Sequence, residues 1–125
     1  MTFTTFGRER MALGLGSAIP NNQIIAFGIG NGSTAESNAD IALDNEILRF
    51  NITGSPNFTE SRKVTFTGDI NSVQLSGLTL AEFGLFNTGS NTGYTGSTYL
   101  REVLAGSIVG DGTIEVRFEQ SVEVM

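Results

Sequence analysis

The C-terminal stretch "GTIEVRFEQSVEV" constrains the fold more than any other part of the chain. Ile114, Val116, Phe118, Val122 and Val124 share one parity, and Glu115, Arg117, Glu119, Ser121 and Glu123 hold the other. Period-two alternation puts the two sets on opposite faces of an extended backbone, so the segment reads as a strand with one buried and one wet face. Shorter runs repeat the pattern. Leu48, Phe50 and Ile52 alternate with Arg49 and Asn51, and Val64 and Phe66 alternate with Lys63, Thr65 and Thr67. Gly110-Asp111-Gly112 carries tight-turn chemistry, which predicts that Tyr99–Val109 pairs with the last strand as a hairpin. Between Leu78 and Phe86 the apolar parity flips. Either a bulge near Ala81-Glu82 returns Leu78, Leu80, Phe83 and Leu85 to one face, or the strand is central and buried on both sides. The predicted core is Leu48, Phe50, Val64, Phe66, Phe83, Leu85, Ile114, Val116 and Phe118.

The only longer helix predicted is Phe6–Leu15, in "FGRERMALGL", with Gly14 and Gly16 to end it. Pro20-Asn21-Asn22 is a turn, Gln23–Ile29 a short apolar strand and Gly30–Asn38 a polar loop. "ADIALDNE" predicts a single helical turn with Asn38 or Asp40 near its start. At 125 residues the chain is one domain by default. The pattern defines an all-β fold, mainly an antiparallel β-sandwich over residues 23–125, with a short N-terminal helix or arm over residues 1–22. The arm has mixed charge and a small apolar set, so Arg8, Arg10 and Met11 are assigned to assembly.

Composition removes several chemistries. The chain has no cysteine and no histidine, so no disulfide, no thiolate and no imidazole base is available. A net charge of −6 repels phosphate backbones and anionic lipid, which argues against nucleic-acid and membrane partners. The opening "TFTTFGRER" has no long apolar run, so no secretory signal is expected, and the sequons at Asn31, Asn51 and Asn57 carry little weight.

Two phrases echo each other, "IIAFGIGNGSTAE" from Ile24 and "LAEFGLFNTGSNTG" from Leu80. A phosphate loop would need a Gly-Lys-Ser/Thr ending, and Lys63 is the only lysine. A dinucleotide fingerprint would need a helix to follow, and "TAESNAD" is a poor helix start. Both phrases therefore read as strands running into surface loops. Asp40, Asp44 and Glu46 could ligate calcium, but their spacing is not that of a calcium loop, and a solvated acidic turn fits better. With no tryptophan and two tyrosines, a sugar platform is poorly supplied. No nucleophile has a partner base, so no catalytic residue, metal site or cofactor is assigned. Asn87, Asn91 and Tyr94 stand in the loopiest stretch and form the candidate ligand or partner loop.

Glu46, Arg49, Glu82 and Arg101 lie beside or within apolar strands. Glu82, between Ala81 and Phe83, is a charge in an odd place unless it is paired, because a carboxylate leaves water only when hydrogen-bonded and compensated. Arg49 and Arg101 are the basic residues left after those of the arm and the wet strand faces. The expectation is that Glu46 or Glu82 pairs with Arg49 or Arg101, a structural role. The competing reading leaves all four in solvent.

In order along the chain, Gly7-Arg8, "IIAFGIGNGST" with Gly28 and Gly30, "LDNEILR" with Leu43, Glu46 and Arg49, "LAEFGLF" with Leu80, Glu82, Gly84, Leu85 and Phe86, and "TYLREVLAG" with Arg101 form a set. The set resembles small virion proteins and fibre-attachment domains of tailed phages and related prokaryotic viruses, over nearly the whole chain. The family often carries a lysine shortly before the last strand and a tryptophan within it; this chain has neither, which leaves the subfamily open. The resemblance implies a non-enzymatic tail, baseplate, neck or fibre-anchoring component. Its partners would be copies of itself and neighbouring virion proteins, and its place the virion, assembled in the host cytoplasm. The other function classes weighed are a receptor- or carbohydrate-binding sandwich at a fibre tip and a small hydrolase, the last lacking a base.

Overall fold

The computed structural model describes residues 2–16, 23–60, 63–88 and 97–123. Eight strands and two helices follow in order: β1 Thr2–Phe3, α1 Thr5–Gly16, β2 Ala26–Gly30, β3 Glu46–Asn51, β4 Asn57–Glu60, β5 Lys63–Ile70, α2 Ser72–Leu75, β6 Thr79–Phe86, β7 Thr98–Val109 and β8 Val116–Glu123. The strands make two antiparallel sheets, ordered β1-β7-β6-β2-β3 and β4-β5-β8. The fold is the all-β sandwich with a short N-terminal helix that the alternation predicts.

The core fills the space between the sheets. Phe27, Ile29, Phe50, Leu80, Phe83, Leu85 and Leu100 come from the larger sheet, and Phe66, Ile70 and Phe118 from the smaller. Phe118 sits among three rings, with centroids 5.0 Å from Phe83, 5.7 Å from Phe27 and 6.1 Å from Phe50. Leu48, Val64 and Val116 are partly buried against this cluster. Ile114, assigned to the core from its parity, is instead exposed and precedes β8, because residues 113–115 carry the chain from one sheet to the other.

β6 is both central and bulged. Its register against β7 breaks between Leu80 and Glu82, and again between Leu85 and Phe86, where Tyr99 is the extra residue. Leu78, Leu80, Phe83 and Leu85 all reach the core cluster, while the strand is buried nearly throughout.

The predicted hairpin does not form. β7 pairs with β6 and β1, whereas β8 pairs with β5 in the other sheet. Gly110 is held against the lead into β6: its amide donates to the Leu78 carbonyl (2.9 Å) and its carbonyl accepts from the Gly77 amide (3.0 Å). A side chain at Gly110 would run into the Leu75 carbonyl. The chain then turns at Gly112, at φ +91°, and crosses to the second sheet. The turn chemistry is real, but it serves a sheet-to-sheet crossing.

The segment assigned to an assembly arm rather than to the core is docked through its first residues. Thr2 and Phe3 pair with Arg101 and Leu100, Thr4 is fully buried, and Phe6 meets Tyr99 edge-to-face at 5.4 Å. The Thr4 hydroxyl oxygen caps α1 by accepting from the Gly7 amide (3.0 Å). Arg8 is exposed, the Arg10 guanidinium lies 5.3 Å from the Phe6 ring centre, and Met11 is partly exposed above an apolar groove of about 200 Å³ shared with Phe3, Ile24, Val64, Phe66, Tyr99 and Val122.

Candidate functional site

Cross-strand register puts Gly30 opposite Glu82, and Gly28 opposite both Arg49 and Gly84, with Arg101 opposite Gly84 on the far side. Partners directly opposite share a face. This outer face of the larger sheet therefore collects the charges, and residues 31–45 fold over it.

Glu82 is wholly buried at the centre. One carboxylate oxygen, Oε1, accepts from the Asp44 amide (2.8 Å) and from Arg101 Nε (2.8 Å). The other, Oε2, accepts from the amides of Gly32 (2.9 Å) and Asn45 (2.9 Å). A carboxylate has about four lone-pair positions, so each oxygen here is saturated. Arg101, 1 % exposed, spends its remaining donors on the Thr34 carbonyl (2.9 Å), the Ala35 carbonyl (3.5 Å) and Asp40 Oδ2 (3.2 Å). Burial works against the Arg101 charge, but Glu82 and Asp40 outweigh it and hold the guanidinium above its ordinary pKa.

A second pair lies beside the first. Arg49 grips Glu46 in bidentate fashion, Nε to Oε2 at 2.5 Å and Nη2 to Oε1 at 2.8 Å. Its Nη1 donates to the carbonyl (3.0 Å) and hydroxyl (2.8 Å) of Thr88, and the guanidinium carbon lies over the Phe86 ring, 3.6 Å from its centre. Arginine suits this place because its planar fork can bond a carboxylate and stack on a ring together. Of the four pairings the sequence left open, the structure forms Glu46 with Arg49 and Glu82 with Arg101. The first pair lies within β3, and Arg49 carries it on to Phe86 and Thr88; the second joins β6 to β7.

The glycines of "FGIGNG" now have a physical reason. A Cβ at Gly28 would lie 2.7 Å from Glu46 Oε2 and 2.7 Å from the Phe86 ring. At Gly30 it would run into the Asn45 carbonyl and lie 2.6 Å from Glu82 Oε2. Side-chain-free backbone is what lets two carboxylates lie flat on the sheet.

The helical turn expected in "ADIALDNE" is absent. The amides of Asp44 and Asn45 turn inward to Glu82, so they are not available to carbonyls four residues back. The acids of this stretch are each engaged: Asp40 with Arg101, Asp44 with the Thr34 hydroxyl (2.8 Å), Glu46 with Arg49. The Thr34 hydroxyl is the chief cause of an Asp44 pKa below the usual carboxylate value. Among the described residues no group of three or more acids is placed to hold a metal ion.

Glu36 was not singled out from sequence. Its carboxylate accepts from the Thr2 hydroxyl (2.8 Å) and the Val103 amide (3.0 Å), bolting β1 and β7 to the loop. Burial pushes its pKa up, and contributions that lower it, the Val103 and Thr2 hydrogen bonds foremost, more than offset that and leave it below the ordinary value. The amides around Glu82 were also missed, since a backbone donor has no letter of its own.

Of the candidate ligand loop, Asn87 is half-buried, while Asn91 and Tyr94 lie outside the described residues. Tyr99, the other tyrosine, is 3 % exposed and packs in the core, so it is no exposed ligand platform. No protein-family profile, curated protein or solved structure matches this chain.

Proposed function

We propose that the chain is a non-enzymatic structural component of a tailed virus particle, a tail, baseplate, neck or fibre-anchoring protein that acts by assembling with copies of itself and with neighbouring virion proteins. The observation that carries the structural reading is Glu82. General acid–base chemistry needs a lone pair or proton facing a substrate. Both Glu82 oxygens are saturated by the protein's own amides and by Arg101, so the most deeply buried charge is committed to holding two strands and a loop together. The viral setting is supported by the ordered phrases around Gly28, Glu46, Glu82 and Arg101.

Electron microscopy of purified particles carrying an affinity label on this chain tests the proposal. Regularly spaced label at one level of the particle is the expected result. Label absent from particles, with the chain found only in the soluble fraction of the host, overturns it.

A further inference from the structure

The sheet edges are not alike. β1 has two residues, and β4 has four with a register break against β5. β3 has six, with a break where Gly30 meets Glu46. Beyond β1, the outer edge of β7 is distorted by residues 104–107, which bulge opposite Ala81 alone, and its Val103 amide is capped by Glu36. Short length, bulges and caps are ways in which proteins blunt an edge. β8 is neither short nor bulged, though its Ser121 carbonyl accepts from the Gln120 side-chain amide (2.9 Å). It pairs with β5 through eight consecutive positions, Val116 to Glu123, without a break, contains neither lysine nor proline, and ends its sheet among the described residues. A regular edge of this length is a template for another strand.

The charges on β8 select the partner and the register. Its wet face reads Arg117, Glu119, Ser121, Glu123. In an antiparallel pair of two β8 strands, parity is kept only if a two-fold axis passes through a residue position. An axis at Ser121 sets Glu119 opposite Glu123 of the second copy, twice. An axis at Glu119 sets that residue against itself. An axis at Gln120 sets Arg117 opposite Glu123 of the second copy, twice, and Glu119 opposite Ser121. The same register sets Phe118 opposite Val122 on the apolar face. Opposite charges directly across a pair stabilise it and like charges destabilise it. An axis at Phe118 also pairs arginine with glutamate but overlaps only residues 116–120.

We propose that β8 is the self-association edge of this protein, pairing antiparallel with β8 of a second copy about a two-fold axis at Gln120. The two small sheets then run on as one six-stranded sheet, β4-β5-β8 followed by its symmetry mate. The inference holds whether or not the chain belongs to a virion. One acceptor on the strand is already engaged, since the Gln120 side-chain amide donates to the Ser121 carbonyl (2.9 Å), a contact that pairing or substitution at Gln120 gives up.

The absence of cysteine makes the register directly readable. Residues directly opposite in an antiparallel pair have Cα atoms about 4.5–5.5 Å apart, within the range of about 4.4–6.8 Å that a disulfide spans. Under mild oxidation the full-length Gln120→Cys variant is expected to give a covalent dimer, and Ser121→Cys is expected to give none. In sedimentation across a concentration series the unmodified chain should dimerise. Arg117→Glu should weaken the dimer about tenfold, and the exchange Arg117→Glu with Glu123→Arg should restore it. Glu123→Arg alone, which leaves Arg117 in contact with Asp69, should weaken it similarly. A chain that stays monomeric at the highest concentration overturns the proposal. So does cross-linking that is equal at both cysteine positions, or an exchange variant no tighter than the singles.

Discussion

On the inner face of the larger sheet, Phe27, Phe50 and Phe83 gather around Phe118 with ring centroids 5–6 Å apart. On the outer face of the same sheet, Glu46, Arg49, Glu82 and Arg101 lie nearly as deeply buried, with residues 31–45 folded over Glu82 and Arg101. The inner face is held by area: burying a large apolar side chain contributes about 1.5–3 kcal/mol and tolerates small shifts. The outer face is held by completeness. Removing charges from water is repaid only if every donor and acceptor finds a partner, so its worth depends on the last hydrogen bond as much as on the first. The same sheet thus carries one face that can be trimmed gradually and one that can be broken by a single group.

The largest effects should come from unpairing the outer face or emptying the inner one. Glu82→Ala strands the Arg101 charge in the interior and should lower unfolding free energy by about 3–5 kcal/mol in a denaturant titration. Phe118→Ala and Phe66→Ala should each cost about 3–5 kcal/mol through the cavity left behind. The contrast lies in rescue: adding Arg101→Met to Glu82→Leu should recover the part of the first loss that comes from the stranded charge, but not the part from the Gly32, Asp44 and Asn45 amides left without an acceptor, whereas no change of charge elsewhere should recover the second. A double variant no better than Glu82→Leu alone would mean that the stranded Arg101 charge carries none of the loss. Next comes Gly30→Ala, one methyl pressed against Asn45 and Glu82, expected to cost about 1–3 kcal/mol. If it melts with the parent protein, the loop over Glu82 is slacker than its hydrogen bonds imply.

A smaller effect follows from Glu36. Its pKa is lower folded than unfolded, so its contribution is present above the ordinary glutamate range and is lost as pH falls through the folded value. The protection factor of the Val103 amide, its exchange rate relative to the intrinsic rate at the same pH, should therefore fall on acidification before those of the core amides, and Glu36→Gln should remove that difference. The smallest effect belongs to Asp69 and Arg117, paired at 2.8 Å but well exposed. Asp69→Asn should leave the thermal midpoint within error of the parent's, because exposed ion pairs in water contribute little.

The strands were legible because burial leaves a periodic trace. Phe118 and Val122 announce their face by alternating with Arg117 and Glu119, and the bulge in β6 shows as a change of parity between Leu80 and Phe83. Glu82 was legible for the opposite reason, as a charge where the pattern required an apolar residue. What the letters do not carry is the destination of a turn. Gly110-Asp111-Gly112 has the same chemistry whether it closes a hairpin or crosses between sheets, and the choice rests on hydrogen bonds to Gly77 and Leu78. Nor do they carry backbone donors, so the stretch with Asp44 and Asn45 that wraps Glu82 reads as a helical turn, and Gly32 as part of a polar loop. The short helix α2 does have a sequence signal: Asn71 and Gln74 form a capping box three residues apart.

The saturated carboxylate of Glu82 also sets the order in which the molecule can come together. Its amide donors come from positions 38, 37 and 50 residues away along the chain, and Arg101 is 19 away. Until all have arrived, burying the charge is uphill, so water must stay on the outer face while the aromatic face is already closing. Closure of residues 31–45 is then expected late, past the rate-limiting barrier. Substitutions at Gly32, Asp44 or Asn45 should speed unfolding and leave the refolding rate almost untouched, while truncation of Phe118 slows refolding. The loop over Glu82 acts as a latch on a body that has already formed, and it governs how long the folded protein lasts more than how fast it appears.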